Sequence, residues 1–197
     1  MSVFDSIASV YGWFYPYQVR TFEKMVQLFS HHVELTSSSK ILDVGCGTGA
    51  LCAILAKRGC DVTGIDSSRK MIDVALKKTK EQHITFDIAD ATQMLPYKDK
   101  EFDIVFASFV VHGMNKEMRI AMYGELMRVS RHYVVIHDYN QKRTLITDIL
   151  ETLEKGDYFS FIKEVDQELH EFFPVITTVN VGKNSHWYIC SCGASTK

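Results

Sequence analysis

Two spacings of apolar residues alternate along the chain, one typical of strands and the other typical of helices. Short, nearly continuous apolar runs predict strands, and the longer segments between them carry apolar residues at three- and four-residue steps. Strands that alternate with helices predict a mostly parallel sheet covered by helices on both faces. The predicted strands of this part are residues 40–44, 61–65, 83–88, 102–108 and 133–136.

Both ends of the chain depart from this alternation. Residues 1–36 have helical spacing, and residues 142–172 predict a second helical segment. Strands predicted at 175–181 and 187–192 are separated by a short polar turn, which favours an antiparallel hairpin. We therefore expect an α/β fold: a Rossmann-like, doubly wound, seven-stranded and mostly parallel sheet that ends in an antiparallel hairpin. The segment 38–192 forms the expected core of a single domain that spans residues 1–197.

Composition narrows the class of protein. The chain has 197 residues, of which 46% are hydrophobic and 23% charged, and its formal net charge is −2. These values favour a globular protein over disorder, and they offer no basic surplus for a nucleic acid. The five cysteines are odd in number and irregular in spacing, which indicates free thiols in a reducing compartment. With no apolar run long enough to span a bilayer and no secretory leader pattern, we expect a cytoplasmic protein.

Glycines and acids follow the first three predicted strands. The first strand ends at a glycine-rich turn, residues 45–49, the second at Asp66, and Asp90 comes just after the third. In a doubly wound sheet, ligands bind at the carboxyl ends of the strands, where these residues are expected to meet. A carboxylate at the end of the second strand suits the vicinal hydroxyls of a ribose. The pattern predicts a site for an adenosine-containing ligand.

Asp43 discriminates between two such ligands. The turn fits a dinucleotide fingerprint loosely, with Gly45, Gly47 and Ala50 at the required spacing. A carboxylate two residues before Gly45 repels the pyrophosphate of a dinucleotide and attracts an ammonium group. S-adenosylmethionine (SAM) carries an ammonium and a sulfonium and no phosphate. The sequence therefore favours SAM, and a nicotinamide-dependent oxidoreductase remains the weaker alternative.

Four segments together resemble the class I SAM-dependent methyltransferases. Residues 41–49 (ILDVGCGTG) look like motif I of that family, and residues 64–68 (GIDSS) look like motif II. Residues 87–91 (DIADA) resemble its adenine-contact segment, and residues 102–108 (FDIVFAS) its strand-four motif. The matches occur in the family's order. Within the family, the chain most resembles the small-molecule, type-11 branch.

This resemblance implies roles for the matched residues. Asp43 orders the glycine turn and reaches the ammonium group of SAM, and Asp66 holds the ribose hydroxyls. Asp90 accepts from the adenine amino group. Ser108 and Phe109, at the end of strand four, face the methyl group that is transferred.

The resemblance also makes residues 1–36 a helical lid over the cofactor, with Tyr11 near the sulfonium, where cation–π attraction is favourable. The backbone of the glycine turn lines the methionine part of SAM, and further residues surround the adenine. The full set of expected cofactor contacts is Tyr11, Asp43, Gly45, Cys46, Gly47, Asp66, Ser67, Met71, Asp90, Ala91, Ser108 and Phe109.

The expected reaction is an in-line displacement of the methyl group onto a small-molecule acceptor, with S-adenosylhomocysteine (SAH) as the second product. Positioning supplies much of the rate in such a reaction, so no metal is expected. His112 and His137, which follow strands four and five, are the candidate bases, and Tyr11 is a third candidate. A protein that binds SAM or SAH without turnover is the other alternative. The sequence does not indicate the acceptor or the oligomeric state.

Overall fold

The computed structural model describes residues 12–140, 157–182 and 185–193. No helix among these residues is both long and apolar enough to cross a membrane. The elements in chain order are α1 (Tyr15–Phe29), β1 (Lys40–Val44), α2 (Ala50–Lys57), β2 (Asp61–Asp66), α3 (Arg69–Lys78), β3 (Ile84–Ile88), β4 (Phe102–Ser108), a 3₁₀ turn (Val111–Gly113), α4 (Lys116–Val129), β5 (Ser130–Tyr139), α5 (Tyr158–Phe172), β6 (Val175–Asn180) and β7 (Ser185–Ser191).

The described strands form one seven-stranded sheet in the order β3-β2-β1-β4-β5-β7-β6. Strand β2 pairs in parallel with β1 and β3, and β4 pairs in parallel with β5. Strand β7 runs antiparallel to both β5 and β6. This order confirms the predicted α/β architecture with its antiparallel hairpin at the C-terminal end.

The chain divides into two compact units, Met1–Asp90 and Ala91–Lys197. In the first unit, β1 contributes Ile41, Leu42 and Val44 to the core, all at most 2% exposed. In the second unit, β4 is buried along most of its length, and β5 is buried from Val134 to Asp138. Their continuous apolar runs are typical of strands covered on both faces. The expectation of a single domain stays a prediction.

Several element boundaries differ from those predicted. Helix α1 ends at Phe29, where a turn begins, so the predicted helix over residues 1–36 is too long at its C-terminal end. Strand β5 is longer than the predicted 133–136, because β4 and β7 pair with it on its two sides and extend the hydrogen bonding. The helix predicted over 142–172 is confirmed for Tyr158–Phe172. Its first part, 142–156, lies outside the described residues, as do residues 1–11 of the segment predicted to be helical over 1–36.

A buried ion-pair network joins α4 to α5 in the second unit. Arg119 is fully buried and makes a bidentate contact with Glu168, with Nε–Oε2 at 2.9 Å and Nη2–Oε1 at 2.7 Å. The same guanidinium donates to Asp157 just before α5 and to the carbonyl of Met114 just before α4. Buried charges need partners of this kind, because the loss of hydration strongly destabilises an unpaired buried charge. The network fixes how the two helices pack.

Candidate cofactor site and a histidine–aspartate pair

The glycine turn between β1 and α2 has a left-handed backbone at three positions. Gly45, Gly47 and Gly49 have φ angles of 68°, 51° and 74°. A Cβ added to Gly47 would meet no atom within 4 Å, whereas one added to Gly49 would lie 3.1 Å from Ala75 and from Phe86. The open space at Gly47 lets a ligand approach the backbone closely.

Replacing these glycines separates backbone strain from crowding. We expect Gly47→Ala to destabilise the protein by about 1–2 kcal/mol, because alanine is strained at positive φ. Gly49→Ala should cost more, because it adds crowding against Ala75 and Phe86 to the same strain. Urea denaturation of both variants measures the difference. If Gly47→Ala and Gly49→Ala lost equal stability, the difference in space around the two Cβ positions would have no energetic effect, and this account would be wrong.

Asp66 ties the glycine turn to the start of α3. Its Oδ2 accepts from the backbone N–H of Gly47 at 3.0 Å, and its Oδ1 accepts from the N–H of Ser68 at 2.8 Å. Ser68 in turn caps α3 by accepting from the N–H of Met71. A carboxylate oxygen can accept more than one donor, so these bonds are compatible with ribose binding. Asp66 therefore shapes the turn as well as presenting a carboxylate at the end of β2.

Asp43 is buried at 2% exposure, and the Cys52 thiol donates to its Oδ2 at 3.2 Å. Burial raises the pKa of the Asp43 carboxyl to about 7, and repulsion from Asp66 acts in the same direction, while the bond from Cys52 opposes both. Near neutral pH the group therefore exchanges between its acid and its carboxylate. A cationic ligand group nearby would favour the carboxylate.

The thiol of Cys46, in the glycine turn, is hydrogen-bonded to that of Cys52. This bond lowers the pKa of Cys46, but burial and the nearby carboxylates outweigh it, so the net shift is upward. Burial also raises the pKa of Cys52 well above its ordinary value. Thiols held in the protonated form are poor nucleophiles. These two cysteines act as packing and hydrogen-bonding groups beside the turn.

The residues predicted to surround an adenine differ in accessibility. In the first unit, Ser67 and Asp90 are exposed, whereas Met71 is 3% exposed and packs in the core. Ala91, which begins the second unit, is also buried. Ser67 and Asp90 are accessible to a ligand in this structure. Contact through the side chain of Met71 requires that side chain to move, and all four remain predicted contacts.

The end of β4 carries backbone strain. Phe109 has a φ of 56°, rare for an aromatic residue, and its ring is 41% exposed. Its N–H donates to the carbonyl of His137 at 2.7 Å, and its ring lies 4.4 Å from the His137 ring. Ser108, just before it, is half-buried. Strain of this kind is often concentrated at functional sites, and the roles of Ser108 and Phe109 stay predictions.

The two candidate histidines have different environments. His137 is 2% exposed, and burial lowers its pKa to about 4, which leaves the ring neutral at pH 7. His112 lies in the 3₁₀ turn, where its Nδ1 is 2.7 Å from Oδ1 of Asp138. The sequence analysis did not predict Asp138 as a partner of His112, although its position next to His137, just after the predicted strand five, was a usable signal. Tyr11, the third candidate, lies outside the described residues.

Within the described parts of the chain, no group of three or more histidine, cysteine or acidic side chains is arranged to hold a metal ion. The structure thus brings together two separate groups of chemistry-bearing residues. One, in the first unit, is the glycine turn with Asp43 and Asp66. The other, in the second unit, is His112 with Asp138 and the neighbouring aromatic rings.

Comparison with known proteins shows which proteins this chain resembles. Residues 41–132 match a family model described as a methyltransferase domain. Methyltransferase GfsG of Streptomyces halstedii is 37% identical over 115 residues, which cover 55% of this chain and 40% of that protein. The demethylmenaquinone methyltransferase of Tropheryma whipplei is 37% identical over 82 residues, 41% of this chain and 34% of that protein. The chain therefore matches less than half the length of these curated relatives.

Solved structures share the fold. The PH0226 protein of Pyrococcus horikoshii OT3 superposes with a TM-score of 0.72 at 21% identity, covering 90% of both chains. The magnesium protoporphyrin IX methyltransferase of Synechocystis PCC 6803, solved with SAH, gives a TM-score of 0.65 at 22% identity and covers 88% of this chain and 82% of that one. Residues 41–132 therefore resemble the methyltransferase-domain family, and the chain shares its fold with these solved structures. The resemblance stated from the sequence is confirmed.

Proposed function

We propose that this chain binds SAM and transfers its methyl group to a small-molecule acceptor. The observation that carries the proposal is the glycine turn. The space beside Gly47 is open, and the backbone N–H of Gly47 donates to the Asp66 carboxylate. Backbone that a ligand can approach, next to a carboxylate at the end of β2, suits the amino acid and ribose parts of one ligand. The family match over residues 41–132 supports the same conclusion.

The residues present fit SAM better than they fit a dinucleotide. Asp43 is buried near Asp66, and two neighbouring carboxyl groups disfavour an anionic pyrophosphate at this turn. They favour an ammonium group, which would stabilise the ionised form of Asp43. SAM supplies an electrophilic methyl group on a sulfonium, and the protein has to hold the acceptor in line and exclude water. A nicotinamide-dependent reaction receives no support from these residues.

The names of relatives indicate the kind of acceptor. One is a demethylmenaquinone methyltransferase, and a protein with the same fold acts on magnesium protoporphyrin IX. We therefore extend the proposal to a small organic acceptor handled by a type-11-like enzyme. A cytoplasmic location belongs to the same proposal, supported by the free thiols of all five cysteines.

The test of this proposal is the variant Asp66→Ala, with Asp61→Ala as its matched control. Asp61 is an exposed aspartate at the opposite end of the same strand, β2. We expect Asp66→Ala to weaken SAM binding by about ten- to a hundredfold, from the loss of charged hydrogen bonds, and Asp61→Ala to leave it unchanged. Titration calorimetry with SAM, SAH and NAD gives the three affinities.

A second comparison separates the ribose role of Asp66 from its role in tethering the turn. Wild type should bind adenosine more tightly than 2′,3′-dideoxyadenosine, and Asp66→Ala should not distinguish the two. Unchanged SAM affinity in a folded Asp66→Ala variant would refute the site. Binding of SAM with no SAH formed across a broad set of acceptors would instead favour the alternative of a binding protein without turnover.

A further inference from the structure

The start of α1 exposes three large aromatic side chains. Trp13 and Phe14, just before the helix, are 89% and 58% exposed, and Tyr17, in its first turn, is 70% exposed. Tyr17 follows the other two at four- and three-residue steps, so the three side chains are neighbours. Aromatic residues usually bury much of their surface, and a contiguous exposed apolar patch marks a place where a folded domain meets a partner.

The other side of the same turn packs against α3 within the first unit. The Nζ atom of Lys78 lies 5.5 Å from the centre of the Tyr15 ring. A Cβ added to Gly12 would lie 3.6 Å from Cγ1 of Val74 and 4.0 Å from Cε of Lys78. These contacts fix the orientation of the start of the helix. The three exposed aromatic side chains therefore face away from the residues that hold α1 in place.

The exposed side of α1 changes from aromatic to basic along the helix. Trp13, Tyr17, Arg20 and Lys24 recur at steps of four, three and four residues, which places them on one side, and all four are exposed. Glu23 is the exposed acid beside them. A helix side that combines aromatic and basic residues is typical of helices that lie in the surface of a membrane.

Helix α3 adds basic charge beside the start of α1. Residues 12–24 and 69–81 together contain seven lysines and arginines and three acids, a net charge of +4, whereas the whole chain has a net charge of −2. Lys77 comes three residues after Val74, the residue next to Gly12, and Lys77 and Lys80 are both exposed. Positive charge is therefore concentrated next to the exposed aromatic residues, and it is complementary to an anionic surface.

We propose that Trp13, Phe14 and Tyr17, with the basic residues of α1 and α3, form an aromatic–basic surface that binds a membrane containing anionic lipids. Tryptophan and tyrosine rings are favoured at the boundary between headgroups and acyl chains, and lysines nearby are attracted to anionic headgroups. A lipid surface satisfies both features at once, because it takes up the exposed rings and neutralises the lysines. Binding of this kind is peripheral and is separate from the proposed methyl transfer.

Vesicle sedimentation tests the aromatic residues. The full chain, without SAM or SAH, is mixed with vesicles of phosphatidylcholine alone or of phosphatidylcholine and phosphatidylglycerol in equal parts. We expect the mixed vesicles to bind at least about tenfold more tightly than the neutral ones. Trp13→Ser combined with Tyr17→Ser should weaken that binding by about tenfold or more. Leu28→Ser should bind like wild type, since Leu28 is an exposed apolar residue near the other end of α1.

The basic residues are tested with the same mixed vesicles. We expect Lys77→Gln combined with Lys80→Gln to weaken binding by about tenfold, because two charges next to the rings are removed. The matched control is Lys57→Gln combined with Arg58→Gln, which removes two exposed charges at the end of α2 and should have a much smaller effect. Added salt should weaken wild-type binding by screening the charges.

The fluorescence of Trp13 reports whether this surface itself contacts the lipid. The chain has two tryptophans, and Trp187 is only 3% exposed, so the solvent-exposed emission comes from Trp13. Mixed vesicles should shift the wild-type emission to shorter wavelength, because the Trp13 ring enters a less polar environment. Trp13→Phe keeps an aromatic ring and should still sediment with the vesicles, but it should lose the shift.

Four outcomes would overturn the proposal. The first is that wild type binds neither kind of vesicle, or binds both equally. The second is that the Trp13 and Tyr17 double variant binds as tightly as wild type. The third is that wild type associates with itself instead, and the double variant does not, which would make the surface a contact between copies. The fourth is that SAH alone shifts the Trp13 emission and prevents vesicle binding, which would mean that the rings cover the cofactor. Failure to bind SAM would refute the proposed function and leave the vesicle result standing.

Discussion

We expect Asp43→Asn to weaken SAM binding by about a hundredfold while making the ligand-free protein more stable at pH 8. The loss of affinity follows from removing the carboxylate that pairs with the ammonium group, since charged hydrogen bonds are worth about 1.5–3 kcal/mol. The gain in stability follows from burial, because an amide does not ionise and the buried carboxylate does. The two effects have opposite signs, which a purely structural aspartate would not produce.

The pH dependence of stability follows from the pKa of Asp43, which rises from 3.8 to about 7 on folding. Between those values the native state keeps a proton that the unfolded state has lost. Wild-type stability therefore falls as pH rises from about 4 to about 7, and the variant lacks this contribution. A shift of one pK unit is worth about 1.4 kcal/mol, so the gain at pH 8 is on the order of 4 kcal/mol at most.

Binding should show the complementary trend. Because SAM favours the ionised form of Asp43, wild-type affinity should increase by about tenfold between pH 6 and pH 8, and the affinity of Asp43→Asn should be flat. Urea denaturation and calorimetry at pH 5, 6, 7 and 8 measure the two properties. Asp61→Asn, at an exposed position, controls for the change in net charge. A variant that is less stable than wild type at pH 8 would contradict this account.

The second large effect concerns the network between α4 and α5. We expect Arg119→Met to destabilise the protein by about 3–5 kcal/mol, because it leaves Glu168 buried at 1% exposure without its main cationic partner. Arg131→Met is the matched control, since Arg131 is half-exposed and pairs with the surface residue Asp103. That change should cost at most about 1 kcal/mol. Thermal and urea unfolding of the two variants provide the comparison.

A double variant identifies the source of the loss. Arg119→Met combined with Glu168→Met removes both charges and should recover much of the stability, because a buried pair can often be replaced by apolar side chains. If the double variant is less stable than Arg119→Met alone, Glu168 contributes packing or hydrogen bonding that does not depend on the arginine. Similar losses for Arg119→Met and Arg131→Met would refute the buried network as a major contribution.

The sheet could be predicted because local sequence patterns mark its strands and the glycine turn. The apolar run over residues 102–108 predicts a buried strand, and the structure has a mostly buried strand there. A strand that is covered on both faces is apolar on both, so its sequence is recognisable as a continuous apolar run. The glycine turn was recognisable for a similar reason, since left-handed backbone at Gly45, Gly47 and Gly49 requires the residue type that the sequence shows. The ends of β5 were not predictable, because they depend on strands that pair from elsewhere in the chain.

The sequence by itself determined the alternation of strands and helices, the glycine turn, and the acids Asp43 and Asp66, because local spacing and residue chemistry specify these features. Only the tertiary structure decided what the acids and histidines can do. Burial sets the pKa of Asp43 near neutrality and keeps His137 neutral. The pairing of β4 with β5 places Ser108 opposite His137, which brings the turn after β4 to Asp138. His112 and Asp138 are far apart in the chain, so no local sequence pattern could predict their contact. The register of the neighbouring strands β4 and β5 brings them together.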